Sequence, residues 1–226
     1  MKEVEQTLEF AARARPRLFL SVTLGVTWLT GFLGVALQNR IPRPLATLLV
    51  YAGGMAPIVV AALLVHQERD HEGRRDFWRR TVAIRRIGWA WAAVIVLFYP
   101  LKSLLAALID VLLGGWGIQP EAISGLIAQP LTIVPTLIFW LFFGPVPEEP
   151  GWRGYATDGF QARMGAVASS LIVGVVWALW HLPLFFLDGT WQAEHLGFGT
   201  VRFGLWMMGV IIESVLYTWI YNNTRR

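Results

Sequence analysis

Residues Phe142–Tyr155 read FFGPVPEEPGWRGY. An apolar run passes directly into two adjacent carboxylates, Glu148 and Glu149, and Arg153 follows four residues after the second. Inside a later apolar run comes Trp177-Ala-Leu-Trp180-His181-Leu-Pro. Nearly everything around these two stretches reads as apolar helix. Polar groups at membrane depth are costly, so these few are where chemistry is to be sought.

The composition fixes the class. Of 226 residues, 55% are hydrophobic and only 15% charged, with a mean hydropathy of +0.52. A soluble domain carries about 25% charged residues. The expected fold is all-α, a polytopic transmembrane bundle of about six spans in one domain covering residues 1–226. The chain has no cysteine, which excludes disulfides, thiolate metal sites and thiol catalysis. A net charge of +4 is read as arginines marking cytoplasmic loops, not as a nucleic-acid surface.

The apolar runs place the spans at Leu18–Leu37, Leu45–Val65, Ile87–Leu113, Pro130–Val146, Met164–Leu187 and Thr200–Tyr221. About 20 residues at 1.5 Å each are needed to cross the hydrocarbon core, which the first run supplies. Residues 1–17 read as a charged cytoplasmic lead-in. Gly53-Gly54, Pro57 and Pro100 are expected to kink their helices or let them pack closely. Residues 66–86 form a basic cytoplasmic loop with seven arginines. That loop is either solvated or a helix on the leaflet surface, with Phe77, Trp78, Thr81 and Val82 on one face. Lys102 and Asp110 are expected to snorkel or pair, and Glu213, inside the last span, needs a partner.

With the N-terminus inside, 15 lysines and arginines fall on cytoplasmic segments, against two or three on the other side. Both termini are therefore expected in the cytoplasm. No internal repeat is visible, which argues against a transporter.

Glu148 and His181 lie 33 residues apart, with a polar turn containing Gly159 and Gly165 near the midpoint. In an antiparallel hairpin that symmetry brings both to one depth. A kink at Pro150-Gly151 could swing the carboxylates inward. A glutamate in such a site can take a proton from water while a histidine orients the water. Arg153, at i+4, could hold Glu149 ionised and leave Glu148 as the base. The pair makes a hydrolase site with or without a metal. No HExxH pattern is present.

These motifs resemble the CPBP family of intramembrane proteases, also called the Abi or CAAX-protease-like family. The resemblance rests on Glu148-Glu149-Pro-Gly-Trp-Arg153 as EExxxR and on Trp177-Ala-Leu-Trp-His181 as the second motif, usually FxxxH. It covers Pro130 to the end of the chain, the motif-bearing half 130–226. It implies a helical bundle with an active site open to the cytoplasm, in a bacterial or archaeal plasma membrane. Glu148 and His181 would activate water, with Glu149 and Arg153 in support. If a divalent metal such as zinc is used, Glu148 and His181 would bind it. The partners implied are the lipid bilayer and a peptide or lipidated-protein substrate, and no nucleic acid. The family's third motif, a histidine and an asparagine on a later helix, has no counterpart here. Asn222 and Asn223 follow no suitable histidine, so a chain truncated before that motif is expected. The alternatives are a non-catalytic immunity protein of the same family, or a proton-coupled transporter using Glu148, Glu213 and Lys102.

Overall fold

A computed structural model describes residues 13–83, 87–112, 114 and 128–224, apart from the side chains of Asp110 and Trp140. Most of the lead-in, Arg85, Arg86, most of the loop between the third and fourth spans, and the last two arginines lie outside the described residues. Among those described, all regular structure is helical. Six helical stretches of the described residues are long and apolar enough to cross a membrane. The chain is an integral membrane protein.

Helix α1 (Pro16–Leu37) runs antiparallel to the second span, which is two helices, α2 (Arg43–Gly54) and α3 (Ala56–Glu68), joined at Met55. Close approach between these helices needs small residues. At Gly34 a Cβ would stand 2.7 Å from the Ala46 carbonyl oxygen. The junction at Met55 follows the glycine pair and precedes Pro57, so the second span bends where the sequence suggests.

Helix α4 (His71–Val82) carries the basic stretch. The Asp70 carboxylate caps it, accepting from the Gly73 N–H at 2.8 Å. It is neither a solvated loop nor a helix lying apart on the leaflet: it docks on the bundle. Phe77 is buried, and Arg80 donates to Asp158 at 2.8 Å and to the Tyr221 hydroxyl at 3.0 Å. Burial alone would lower the proton affinity of Arg80, but Tyr221 and Asp158 lift it above its ordinary value. Arg69, also buried, is lowered by desolvation and then by the charge of Arg80.

Helix α5 (Trp89–Leu112) passes through Pro100 and is attached to the last span by side chains. Lys102 pairs with Glu213, Tyr99 meets Tyr217, and Trp91 packs edge-on against Trp219 at 4.8 Å. Glu213 thus finds its partner on another helix.

The fourth span extends from Pro130 to Gln161, well beyond its apolar part. Helix α6 (Ile133–Phe143) stops at Gly144, and α7 (Pro145–Gly151) starts immediately after it. A residue before proline is pushed out of the α region, so Pro145 ends one helix and its fixed φ opens the next. The break therefore precedes the two glutamates, while Pro150 stays inside α7. A π-helical turn, Trp152–Thr157, follows and leads into the short α8 (Asp158–Gln161). Helix α9 (Ala166–Trp180) returns through the bundle, and α10 (Val201–Asn223) packs along it.

Trp152 and Tyr155 are fully buried against Phe19, at 5.5 and 5.3 Å between ring centroids. Gly151 lets α7 touch α3, since a Cβ there would stand 2.5 Å from the Pro57 carbonyl oxygen. These contacts set the height and rotation of the segment bearing the carboxylates.

Candidate active site

Helices α7 and α9 bring the two motifs together through one side chain. The indole Nε1 of Trp177 donates to Glu148 Oε2 at 2.7 Å. The backbone carbonyl of the same residue accepts from His181 Nδ1 at 2.8 Å. A carbonyl can only accept, so this bond puts the ring proton on Nδ1 and leaves Nε2 with its lone pair. The histidine ring is further enclosed by Trp180 at 4.7 Å and Trp206 at 5.0 Å, both edge-on.

Glu149 turns the other way. Its carboxylate meets Arg153 Nε at 3.3 Å, one helical turn on. Arg153 is buried behind the site, donating to Ser214 Oγ at 3.3 Å, while that hydroxyl donates to the Ser170 carbonyl at 2.8 Å. Its guanidinium also lies over the faces of Trp177 and Tyr217, 5.0 and 5.4 Å from the centroids. An arginine against an aromatic face in a dry setting is held by charge as well as by packing. Arg153 thus braces the indole that binds Glu148.

Glu148 and His181 both line a cavity of about 720 Å³. Thr27 from α1 joins them, fixed between the Trp180 indole N–H at 2.8 Å and the Gly53 carbonyl at 2.8 Å. One wall is aromatic: Tyr51 stands 6.3 and 5.7 Å from Phe139 and Phe143, which stack on each other at 4.8 Å. The two phenylalanines are about half exposed, so this wall also faces the surroundings of the bundle. The remaining lining runs to Arg43 and to Asp188–Gln192, where the exposed residues form the mouth.

That mouth lies at the end of the bundle where α1 finishes and α2 begins. The opposite end holds Arg15 with Glu68, helix α4, Asp158 and Tyr221. Asn222 is at that opposite end too, exchanging two hydrogen bonds with Gln161 at 2.9 and 3.3 Å. Among the described residues, no group of three or more His, Cys, Asp or Glu side chains is placed to hold one metal ion. A catalytic zinc usually has three protein ligands, and Glu148 with His181 supplies two.

Sequence reasoning singled out the glutamates, Arg153 and His181 but gave Trp177 no task of its own. Its signal was the four-residue spacing to His181, which allows a side chain to bond the carbonyl one turn back. Arg43, Thr47 and Tyr51 were passed over as well, although their i, i+4, i+8 spacing marks one helical face.

A helical membrane bundle of this composition, with a glutamate and a histidine sharing an internal cavity, fits the class of integral membrane proteases. Residues 130–226 match the family described as Type II CAAX prenyl endopeptidase Rce1-like. The CAAX prenyl protease 2 of Methanococcus maripaludis is 29% identical over 213 residues, which span 93% of this chain and 78% of that relative. Over these residues the chain is similar to CAAX prenyl proteases.

Proposed function

We propose that the protein is an endopeptidase that hydrolyses a peptide bond near the C-terminus of a prenylated, membrane-associated protein, with Glu148 and His181 as its catalytic residues. The reading is carried by Trp177, whose indole and carbonyl hold both groups at the wall of one cavity. A water between them gives one proton to Glu148 and points its other hydrogen at His181 Nε2. Its oxygen forms a bond to the peptide carbonyl carbon as the proton leaves. The C–N bond then breaks, and Glu148 returns the proton to the departing amine. Glu149 and Arg153 act behind the site, by keeping Trp177 and α7 in place.

The aromatic wall of Tyr51, Phe139 and Phe143 suits a prenyl chain arriving sideways from the lipid. We further propose that the mouth faces the cytoplasm. The charge count would turn it outward, because the arginine-rich end is the opposite one. Much of that count consists of arginines with internal partners: Arg15 on Glu68, Arg74 on the Arg69 and His66 carbonyls, Arg79 on Asp76, Arg80 on Asp158, and Arg163 on Gly159 and Ala14. These side chains serve the fold, and they weigh less as markers of sidedness.

Glu148→Gln and His181→Gln should each reduce cleavage of a prenylated peptide by about 10²–10⁴-fold, with unchanged abundance in the membrane. Cleavage at the normal rate by either variant rejects that residue's role. The same assay with a chelator reads the metal requirement directly.

A further inference from the structure

We infer that Arg43 is a specificity residue that binds the free α-carboxylate at the end of the substrate peptide; this rests on the endopeptidase reading above. Among the described residues that line the cavity, Arg43 is the one lysine or arginine. It stands at the mouth, while Glu148 and His181 lie deeper. Arg43, Thr47 and Tyr51 form one continuous wall of α2 from mouth to interior.

The length of that wall matches a short peptide. Eight residues of helix from Arg43 to Tyr51 rise about 12 Å. Three extended residues span about 10 Å. A peptide whose terminal carboxylate sits at Arg43 therefore brings a bond about three residues from its end to the level of Tyr51, beside the catalytic pair. Its lipid-bearing residue would then lie against the aromatic wall. Terminal carboxylate and prenyl group are thus read at opposite ends of one cavity.

The arginine is held in place without being neutralised by the groups that hold it. Arg43 Nη2 donates to the Asp188 carbonyl oxygen at 2.9 Å, which uses one of five N–H donors. The loop it grips is clamped a second time by Gln38, which donates to the Phe186 carbonyl at 3.2 Å and accepts from the Asp188 N–H at 2.9 Å. Gly189, at φ +77°, leaves room for the guanidinium, since a Cβ there would stand 1.5 Å from Nη2. A fixed, planar fork of donors is the chemistry that recognises a carboxylate.

The test uses the full chain in liposomes and a fluorogenic prenylated peptide in two forms, with a C-terminal carboxylate and with a C-terminal carboxamide. The native protein should favour the carboxylate. Arg43→Gln should raise KM for the carboxylate about tenfold or more, with little change in kcat and little change for the carboxamide. Arg43→Lys, which keeps the charge but loses the fork, should fall between. A fall in activity on both substrates alike would assign Arg43 to loop support only and overturn the inference. No preference between the two forms in the native protein would overturn it as well. If the native protein cleaves neither peptide, the endopeptidase reading fails, and the assignment of Arg43 fails with it.

Discussion

The two ends of this bundle use their polar residues in opposite ways. At one end Arg80 reaches Asp76, Asp158 and Tyr221, Gln161 and Asn222 exchange amides, and Glu68 receives both Arg15 and Tyr155. Every one of these groups is engaged with the protein itself. At the other end, Arg43, Glu148 and His181 each keep part of their hydrogen-bonding capacity turned to a cavity. Saturated polar contacts fix a fold, whereas incompletely used ones are available for a ligand. On the proposed function, the contrast separates stability from activity along one axis of the molecule.

That separation can be broken experimentally. The chain has no cysteine, so single cysteines report sidedness without background. With the mouth inward, an impermeant thiol reagent applied to intact cells should label His71→Cys and leave Glu194→Cys unlabelled. The reverse pattern would turn the cavity outward and restore the orientation expected from charge. Next in size is Arg80→Gln. Breaking a buried ion pair by removing one partner costs about 3–5 kcal/mol, so its thermal unfolding in detergent should fall steeply. The folded fraction should still cleave peptide at close to the native rate. A selective loss of kcat would show that the two ends are coupled.

Trp177→Phe tests the other end. It keeps the aromatic packing on Arg153 and the backbone bond to His181, but removes the N–H that holds Glu148. Losing a hydrogen bond to a charged group costs about 1.5–3 kcal/mol, which as transition-state stabilisation is a rate loss of about tenfold or more. Thermal stability should change less than activity does. The smallest effect is expected for Lys102 and Glu213, on the flank. Glu213→Gln should destabilise by about 0.6–1.7 kcal/mol, and adding Lys102→Met should recover part of it, as unfolding of single and double variants would reveal. Absence of any recovery would mean that the two side chains do not interact.

Much of the scaffold was legible because the bilayer imposes a length. Each run of about 20 apolar residues becomes a helix, since backbone groups in lipid must bond within their own segment. The first, second and last spans lie within a few residues of where hydropathy puts them. The fourth was underestimated, because its lower half, Glu148 to Gln161, is too polar to register as a span. It crosses protein rather than lipid, against Phe19, Pro57 and Trp177. The docking of α4 was equally hidden. Phe77 and Arg80 look like any amphipathic pair until Asp158 and Tyr221, distant in sequence, arrive beside them. Lys102 was weighed against Asp110 on its own helix, while its partner came from α10.

The sequence alone determined an all-helical membrane protein and the residues worth examining, because hydrophobic length and the cost of buried charge are local properties. The tertiary structure decided which of the two glutamates lines the cavity, that one tryptophan holds it beside His181, and which end of the bundle opens. Those outcomes depend on the break at Gly144 and on how closely neighbouring helices approach, and both are settled by contacts between segments far apart in the chain.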